Sequence, residues 1–383
     1  MECTVLLLMQ LILYTQDSKM KNLLKSISFI LICAVLFITF NHITLPKYYY
    51  TNNPWPTTST ADGFYKMNKN TIDVLYFGAS ICVNEISPQE IYNKYGIRSY
   101  NLGSEQQNVM VGYYWLKEAL RYQKPKVVVL DTMFCFRERH DPVMPEGLLR
   151  KCIDPIKWSQ NKVEIINDIC STYPEQSKLS YYLTNFRFHT RWKETTKEDI
   201  TSKMIKHFEL KGYAPSSDTG PESFEPYQYN EYYKKTVDIA PEMKPYLDKI
   251  VDLCKQNNIA LILVTIPEVE DWKNVYRQNL WDGMTNTLNQ YIAEHSDVNI
   301  RYINFMEKSV YEKMNVHLPK DDIIHHGNIW GSIKISDYLG KILQDQYQLK
   351  PVKDDQYEET KDFYEKVLDN ARNNRGYYDG IFS

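Results

Sequence analysis

From residue 72 onward, short and almost wholly apolar runs alternate with segments whose apolar residues recur every three or four positions. IDVLYFG (72–78) has the length and the content of a strand buried on both faces. SPQEIYNKYG (87–96) follows, with a serine suited to cap a helix and a glycine suited to stop it. IRSYNLG (97–103) predicts a second strand, NVMVGYYWLKEALRYQ (108–123) an amphipathic helix, and KVVVLDTMF (126–134) a third strand. This βαβαβ rhythm implies a parallel sheet covered by helices.

The rhythm breaks at about 137 and resumes near 241. The intervening segment is charged, rich in Tyr, His and Trp, and includes YYLTNFRFHTRWKETTKED. It predicts a partly helical insertion lying over one end of the sheet. IALILVTIPEV (259–269) and VNIRYINF (298–305) then supply two more strands, with a helix containing WDGMTNTLNQYIAEH (281–295) between them. GSIKISDYLGKILQDQ (331–346) predicts the last helix of the sheet domain, and the charged tail (351–383) a surface helix. The economical fold is α/β: five parallel strands in a three-layer α/β/α sandwich.

Hydropathy adds an element outside this domain. SISFILICAVLFITFNHITLP (26–46) holds no Lys, Arg, Asp or Glu, and about 20 such residues suffice to cross a bilayer. Lys19, Lys21 and Lys25 precede it, which predicts a cytoplasmic N-terminus (1–25) and an exported remainder. No small-residue cleavage site follows the apolar stretch, so the expectation is an uncleaved anchor, followed by a polar linker (47–70) and the sheet domain (71–350). TVLLLMQLILY, near the start, is about half a span, and Met20 opens a segment resembling a conventional bacterial start.

Composition narrows the function classes. The 383 residues include 45 basic and 48 acidic side chains, a formal charge of -3, which argues against a nucleic-acid partner. Thirty-one tyrosines and seven tryptophans suit amphipathic or sugar-binding surfaces. The seven cysteines contain no C-x-x-C pair and no metal-ligand spacing, so neither a metal nor a cofactor is expected; Cys152 and Cys170 are candidates for pairing outside the cell.

Three loops carry candidate chemistry, each at the C-terminal end of an expected strand. Ser80, in FGAS, sits where the first strand feeds a helix, and its own N–H is placed to stabilise negative charge. A phosphate-binding loop there is disfavoured, because neither G-x-x-x-x-G-K nor G-x-G-x-x-G is present. Gly103, in NLGSEQQ, offers a backbone N–H, and Gln106 or Gln107 a side-chain donor, to a developing oxyanion. DDIIHHGNIWGS (321–332) offers an acid and an imidazole, with Asp321 or Asp322 and His325 or His326 both open. A parallel sheet gathers all three loops on one rim.

The order of these loops resembles the SGNH (GDSL-like) hydrolase family, whose fold is a five-stranded parallel α/β/α sandwich. FGAS is similar to its first block, with Ala79 where Asp is usual, and NLGSEQQ to its second. HGNIWGSIKISDYLG resembles the last block of a membrane-anchored bacterial branch that includes alginate O-acetyltransferases and teichoic-acid D-alanylation proteins. Asn328 and Gly331 fall in step with that block and make His326 the base, whereas Asp322-x-x-His325 keeps the family's usual acid-to-histidine spacing. The third block, Gly-x-Asn-Asp, is absent, and VLDTMF with Asp131 stands in its place. The resemblance implies catalysis by Ser80, His326 and Asp322 (alternatives His325 and Asp321), with Ser80, Gly103 and Gln107 forming the oxyanion hole. It also implies esterase or O-acyltransferase activity on a cell-surface glycopolymer, alongside a membrane-bound O-acyltransferase partner. His189, Arg191 and Trp192 of the insertion are candidate polymer-binding residues. The alternative expectation is a non-catalytic scaffold that binds envelope glycan or a membrane partner.

Overall fold

The structure is a computed structural model that describes residues 18–45, 57–196, 210–216, 219–324 and 326–381. The apolar stretch before Met20, Cys3, linker residues 46–56 and His325 therefore lie outside the described residues. The chain divides into two compact units, Met1–Tyr50 with Ser177–Lys203, and Thr51–Gln176 with Met204–Ser383.

The first unit is organised around helix α1 (Ser18–Thr44), with short helical turns at Lys178–Tyr182, Asn185–Phe188 and His189–Lys193. Its 27 residues span about 40 Å, more than the ~30 Å of a bilayer's hydrocarbon core. Phe29 is 68 % and Leu36 63 % exposed, so the apolar surface is left for another apolar phase to cover. Among the described residues it is the one helix long and apolar enough to cross a membrane. The helix starts before the uncharged run, because the flanking lysines are themselves good helix formers. Its far end is closed by polar groups: Arg191 Nη1 donates to Thr44 O at 2.9 Å, and Thr184 Oγ1 to Asn41 Oδ1 at 2.7 Å.

In the second unit β1 (Val74–Phe77), β2 (Ser99–Asn101), β3 (Val127–Asp131), β4 (Ala260–Thr265) and β5 (Ile300–Asn304) form one parallel sheet. The order is β2-β1-β3-β4-β5. The chain runs outward from β1 in both directions, so the β1/β3 boundary is a topological switch point, where strand ends leave a crevice.

The helices of the second unit include α2 (Ser80–Glu85), α3 (Pro88–Tyr95), α4 (Val109–Ala119), α5 (Glu146–Ile153), α6 (Gln160–Thr172), α7 (Lys244–Gln256), α8 (Val275–Glu294), α9 (Ile329–Asp345) and α10 (Lys361–Arg372). Of these, α3, α4, α8, α9 and α10 fall on the segments expected to be helical. Ser87 caps α3 by accepting from Glu90 N, and Gly96 ends it at φ 63°. Helix α8 begins six residues before WDGMTNTLNQYIAEH, because Asn274 accepts from Tyr276 N and Arg277 N and starts it there.

Val74, Tyr76, Val127, Val129, Ile262 and Val264 pack with Ile91 of α3 and Ile335, Leu339 and Leu343 of α9. The alternate positions Leu75, Phe77, Val128, Leu130, Leu261 and Leu263 are equally buried. Burial on both faces is why these strands read as continuous apolar runs.

The segment expected to form one insertion is divided. Helices α5 and α6 and the stretch from 210 onward belong to the sheet unit, while Ser177–Lys203 belongs with α1. Trp115 Nε1 donates to Cys152 O at 3.0 Å, and Asn161 Nδ2 to Tyr114 O at 3.1 Å, which bind α5 and α6 to α4. Cys152 is a buried free thiol whose Sγ lies 2.9 Å from Ser104 Oγ, rather than half of a bridge. The tail is also more than a surface helix. Tyr357, Tyr364 and Val367 are fully buried, and the Tyr357 hydroxyl donates to Ser99 O at 2.8 Å. Its charges occupy the opposite side of an amphipathic helix.

Candidate active site

Ser80 Oγ lies 2.6 Å from His326 Nε2, across a sequence separation of 246. Both side chains are partly exposed. A serine after a strand is commonly a helix cap, but Ala79 occupies the N-cap of α2 and Ser80 is the first helical residue. Its hydroxyl is thereby directed to the imidazole. The alternative base, His325, is outside the described residues.

The turn that presents Ser80 is held by the β2 loop. Gly78 has φ 156°, and a Cβ there would sit 2.5 Å from Asp131 Cβ, so the close approach of β1 to β3 requires glycine. Ser104 N donates to Gly78 O at 3.0 Å, and Gln107 Oε1 accepts from Gly78 N at 3.0 Å. Gln107 Nε2 donates to Leu102 O at 2.8 Å and Ser104 Oγ at 3.2 Å, which engages both of its N–H bonds. Gln107 is thus a strut between two turns in this arrangement. The Gly103 N–H is engaged too, donating to Asn101 Oδ1 at 3.0 Å. The Gly103 N–H and the Gln107 amide, both expected as oxyanion donors, are thus engaged within the turns in this arrangement. Sequence reasoning passed over Asn101, whose Nδ2 donates to Cys82 O at 2.9 Å and Ile86 O at 3.1 Å and so closes the end of α2. Its position two residues before Gly103 was the available signal.

The histidine loop is built around Asp322. The side chain is 1 % exposed, and Oδ1 accepts from Ile324 N at 2.9 Å. Its carbonyl accepts from Asn328 N at 2.9 Å. Asn328 then caps α9 through Oδ1, which accepts from Trp330 N at 3.1 Å and Gly331 N at 3.0 Å. A Cβ at Gly331 would lie 1.7 Å from Asp322 O and one at Gly327 2.3 Å from it, so both glycines are needed for the loop to close on itself. The same missing Cβ lets Gly327 approach the buried Glu85 carboxylate of α2. Gly220 likewise packs its backbone against the Asp322 carboxylate. Asp321 is occupied elsewhere: Oδ2 accepts from His317 N at 3.0 Å and lies 3.6 Å from Lys334 Nζ.

A charged group sequence reasoning did not assemble lies at the ends of β3 and β4. Arg139, nearly buried, donates through Nη2 to Glu268 Oε1 at 2.7 Å and stacks over Trp281 with Cζ 5.0 Å from the ring centre. His140 Nε2 lies 3.2 Å from the same oxygen. Burial pushes the Glu268 carboxyl up, but Arg139 and His140 outweigh it and hold it at about 2. Asp131, at the end of β3, is raised to about 6 by burial, which Arg139 only partly offsets.

His189, Arg191 and Trp192 fall in the first unit. Arg191 is used there to close the end of α1, and Trp192 is 60 % exposed. Among the described residues no group of three or more His, Cys, Asp or Glu is placed to hold a metal. No protein-family model and no curated protein matches the chain. The parallel sheet, its switch point and the Ser80–His326 contact therefore carry the functional reading by themselves.

Proposed function

We propose that the chain is a membrane-anchored, SGNH-type serine enzyme of the bacterial envelope, an esterase or O-acyltransferase acting on a cell-surface polysaccharide or teichoic-acid-like polymer. The observation that carries this reading is the 2.6 Å contact between Ser80 Oγ and His326 Nε2. In the proposed reaction the Ser80 oxygen attacks an acyl carbonyl while Nε2 takes the hydroxyl proton. The leaving group then departs with that proton, and an acyl-serine remains. A sugar hydroxyl resolves it in transfer, and water in hydrolysis. Asp322 is proposed to orient His326 from within the same loop. Because the Gly103 N–H and both Gln107 N–H bonds are engaged, the Ser80 N–H is the oxyanion donor this reading relies on.

In this reading the second unit is a three-layer α/β/α sandwich and α1 is a single-pass anchor, its lysine-flanked end cytoplasmic and the serine outside. That arrangement suits a partner of the membrane-bound O-acyltransferase type, which would pass acyl groups outward. The engaged donors also favour a second reading, a scaffold that binds glycan without catalysis.

One experiment separates them. The full chain in detergent is treated with a fluorophosphonate, alongside Ser80→Ala and His326→Ala. Labelling at Ser80, lost in Ser80→Ala and slowed 100-fold or more in His326→Ala, is the expected result. A folded wild-type chain that takes no label and releases no acetate from p-nitrophenyl acetate above the Ser80→Ala background would overturn it. Transfer and hydrolysis are then distinguished by whether added saccharide carries the acetyl group away.

A further inference from the structure

We propose that the second unit carries a saccharide-binding cleft along the outer edge of its sheet, separate from the Ser80 site. β5 is one of the two edge strands, and Arg301–Asn304 help to line a cleft of about 860 Å³ whose walls include neither Ser80 nor His326. This volume falls in the range of about 300–1,000 Å³ typical of small-molecule sites.

The opposite wall is a tyrosine-rich segment held firmly in place. Tyr227 N donates to Met306 O and its carbonyl accepts from Lys308 N, both at 2.8 Å, and its hydroxyl donates to Asp282 Oδ1 at 2.6 Å. Tyr229 donates to Asn286 Oδ1 at 2.5 Å. On this fixed base Tyr232 is 84 % exposed and lines the cleft. An exposed aromatic ring on a rigid segment is a stacking platform for the apolar face of a sugar ring.

A second observation is independent of the first. Asn304 is 7 % exposed and lines the cleft; its Oδ1 accepts from Met306 N at 2.9 Å, but Nδ2 has no hydrogen-bond partner among the described residues. A buried amide donor without an acceptor is uncommon in folded proteins, and a small shift of the wall would bring Nδ2, now closed to solvent, to a ligand hydroxyl oxygen. Asn289 and Ser309 bring further hydroxyl-matching groups to the same walls.

Charge selects among ligands. Among the described residues Arg301 is the one cation on the walls, against the carboxylates of Glu231 and Glu307, which disfavours a polyanion and favours a neutral, hydroxyl-rich chain. An extended peptide added to β5 is less well served, since the parallel bridge between Tyr227 and Glu307 already closes the end of that edge.

The test is titration calorimetry of the full chain in detergent with cellotetraose, maltotetraose and chitotetraose. Tyr232→Ala and Asn289→Ala, both at exposed positions, are compared with wild type and Ser80→Ala. At least one tetrasaccharide is expected to bind saturably, with affinity unchanged in Ser80→Ala and weakened tenfold or more in Tyr232→Ala. The proposal is overturned if none of the three binds, if both cleft variants bind like wild type, or if binding disappears with Ser80→Ala while Tyr232→Ala retains it. Saturable binding of an extended Val/Thr peptide in place of any saccharide would assign the edge to a protein partner and overturn it as well. Since Ser80 takes no part, serine labelling and saccharide binding succeed or fail independently.

Discussion

Asp131→Asn should stabilise the sheet unit at pH 8 and leave it nearly unchanged at pH 4. Burial raises this carboxyl from 3.8 to about 6, with Arg139 opposing the rise and Glu268 adding to it. Below pH 4 the group is protonated in both folded and unfolded chains. Between pH 4 and 6 the unfolded chain releases the proton and the folded one keeps it, so stability falls as pH rises and levels off above pH 6. That rise, from 3.8 to about 6, corresponds to about 3 kcal/mol at pH 8. Asparagine retains an oxygen for Met133 N, which donates to Asp131 Oδ1 at 3.1 Å, and removes the charge whose burial is costly; Arg139 keeps Glu268. Thermal unfolding of the full chain in detergent, followed by intrinsic fluorescence at pH 4, 6 and 8, reads the effect. A rise in Tm of about 5 °C or more at pH 8 is expected for Asp131→Asn, shrinking toward zero at pH 4. Equal destabilisation at all three values would show that the ionised carboxylate is needed where it lies, and would refute the reasoning.

Glu268→Gln should cost about 3–5 kcal/mol, because it leaves the Arg139 guanidinium buried without its carboxylate, and thermal unfolding at pH 7 checks it. In wild type the Glu268 contribution is complete above about pH 4.5 and is lost as pH falls toward 2, so acid unfolding should shift to higher pH in Arg139→Gln. Gly331→Ala places a methyl group 1.7 Å from Asp322 O, which predicts a loss of roughly 2 kcal/mol and at least tenfold slower phosphonate labelling at Ser80. Unchanged labelling would mean that the histidine loop tolerates reopening. Tyr364→Ala in the tail helix should cost about 3–5 kcal/mol through the cavity left at a fully buried ring, whereas a surface helix would lose almost nothing.

Much of the architecture was legible in short windows of sequence, because the forces that encode it act over a few residues. Apolar runs marked β1, β3, β4 and β5. Ser87 and Gly96 marked the ends of α3 through a local cap and a left-handed stop. Uncharged length marked α1 as a membrane candidate. The placement of Ser80 directly after β1 was legible for the same reason, whereas a short helix (Lys308–Met314) stands between β5 and the histidine loop.

What the sequence could not decide depends on contacts between residues far apart in the chain. That His326 meets Ser80 depends on the strand order and on two glycines that let the loop fold against Asp322. Gln107 has the side chain of an oxyanion donor, yet its N–H bonds are engaged by Leu102 and Ser104. Arg191 closes α1, the tail sets Tyr364 and Tyr357 against Glu90 and Tyr92 of α3, and an unpartnered amide at Asn304 lines a cleft on β5. Periodicity and capping are written residue by residue; the partner of a side chain is settled only when the sheet order brings distant segments within hydrogen-bonding reach.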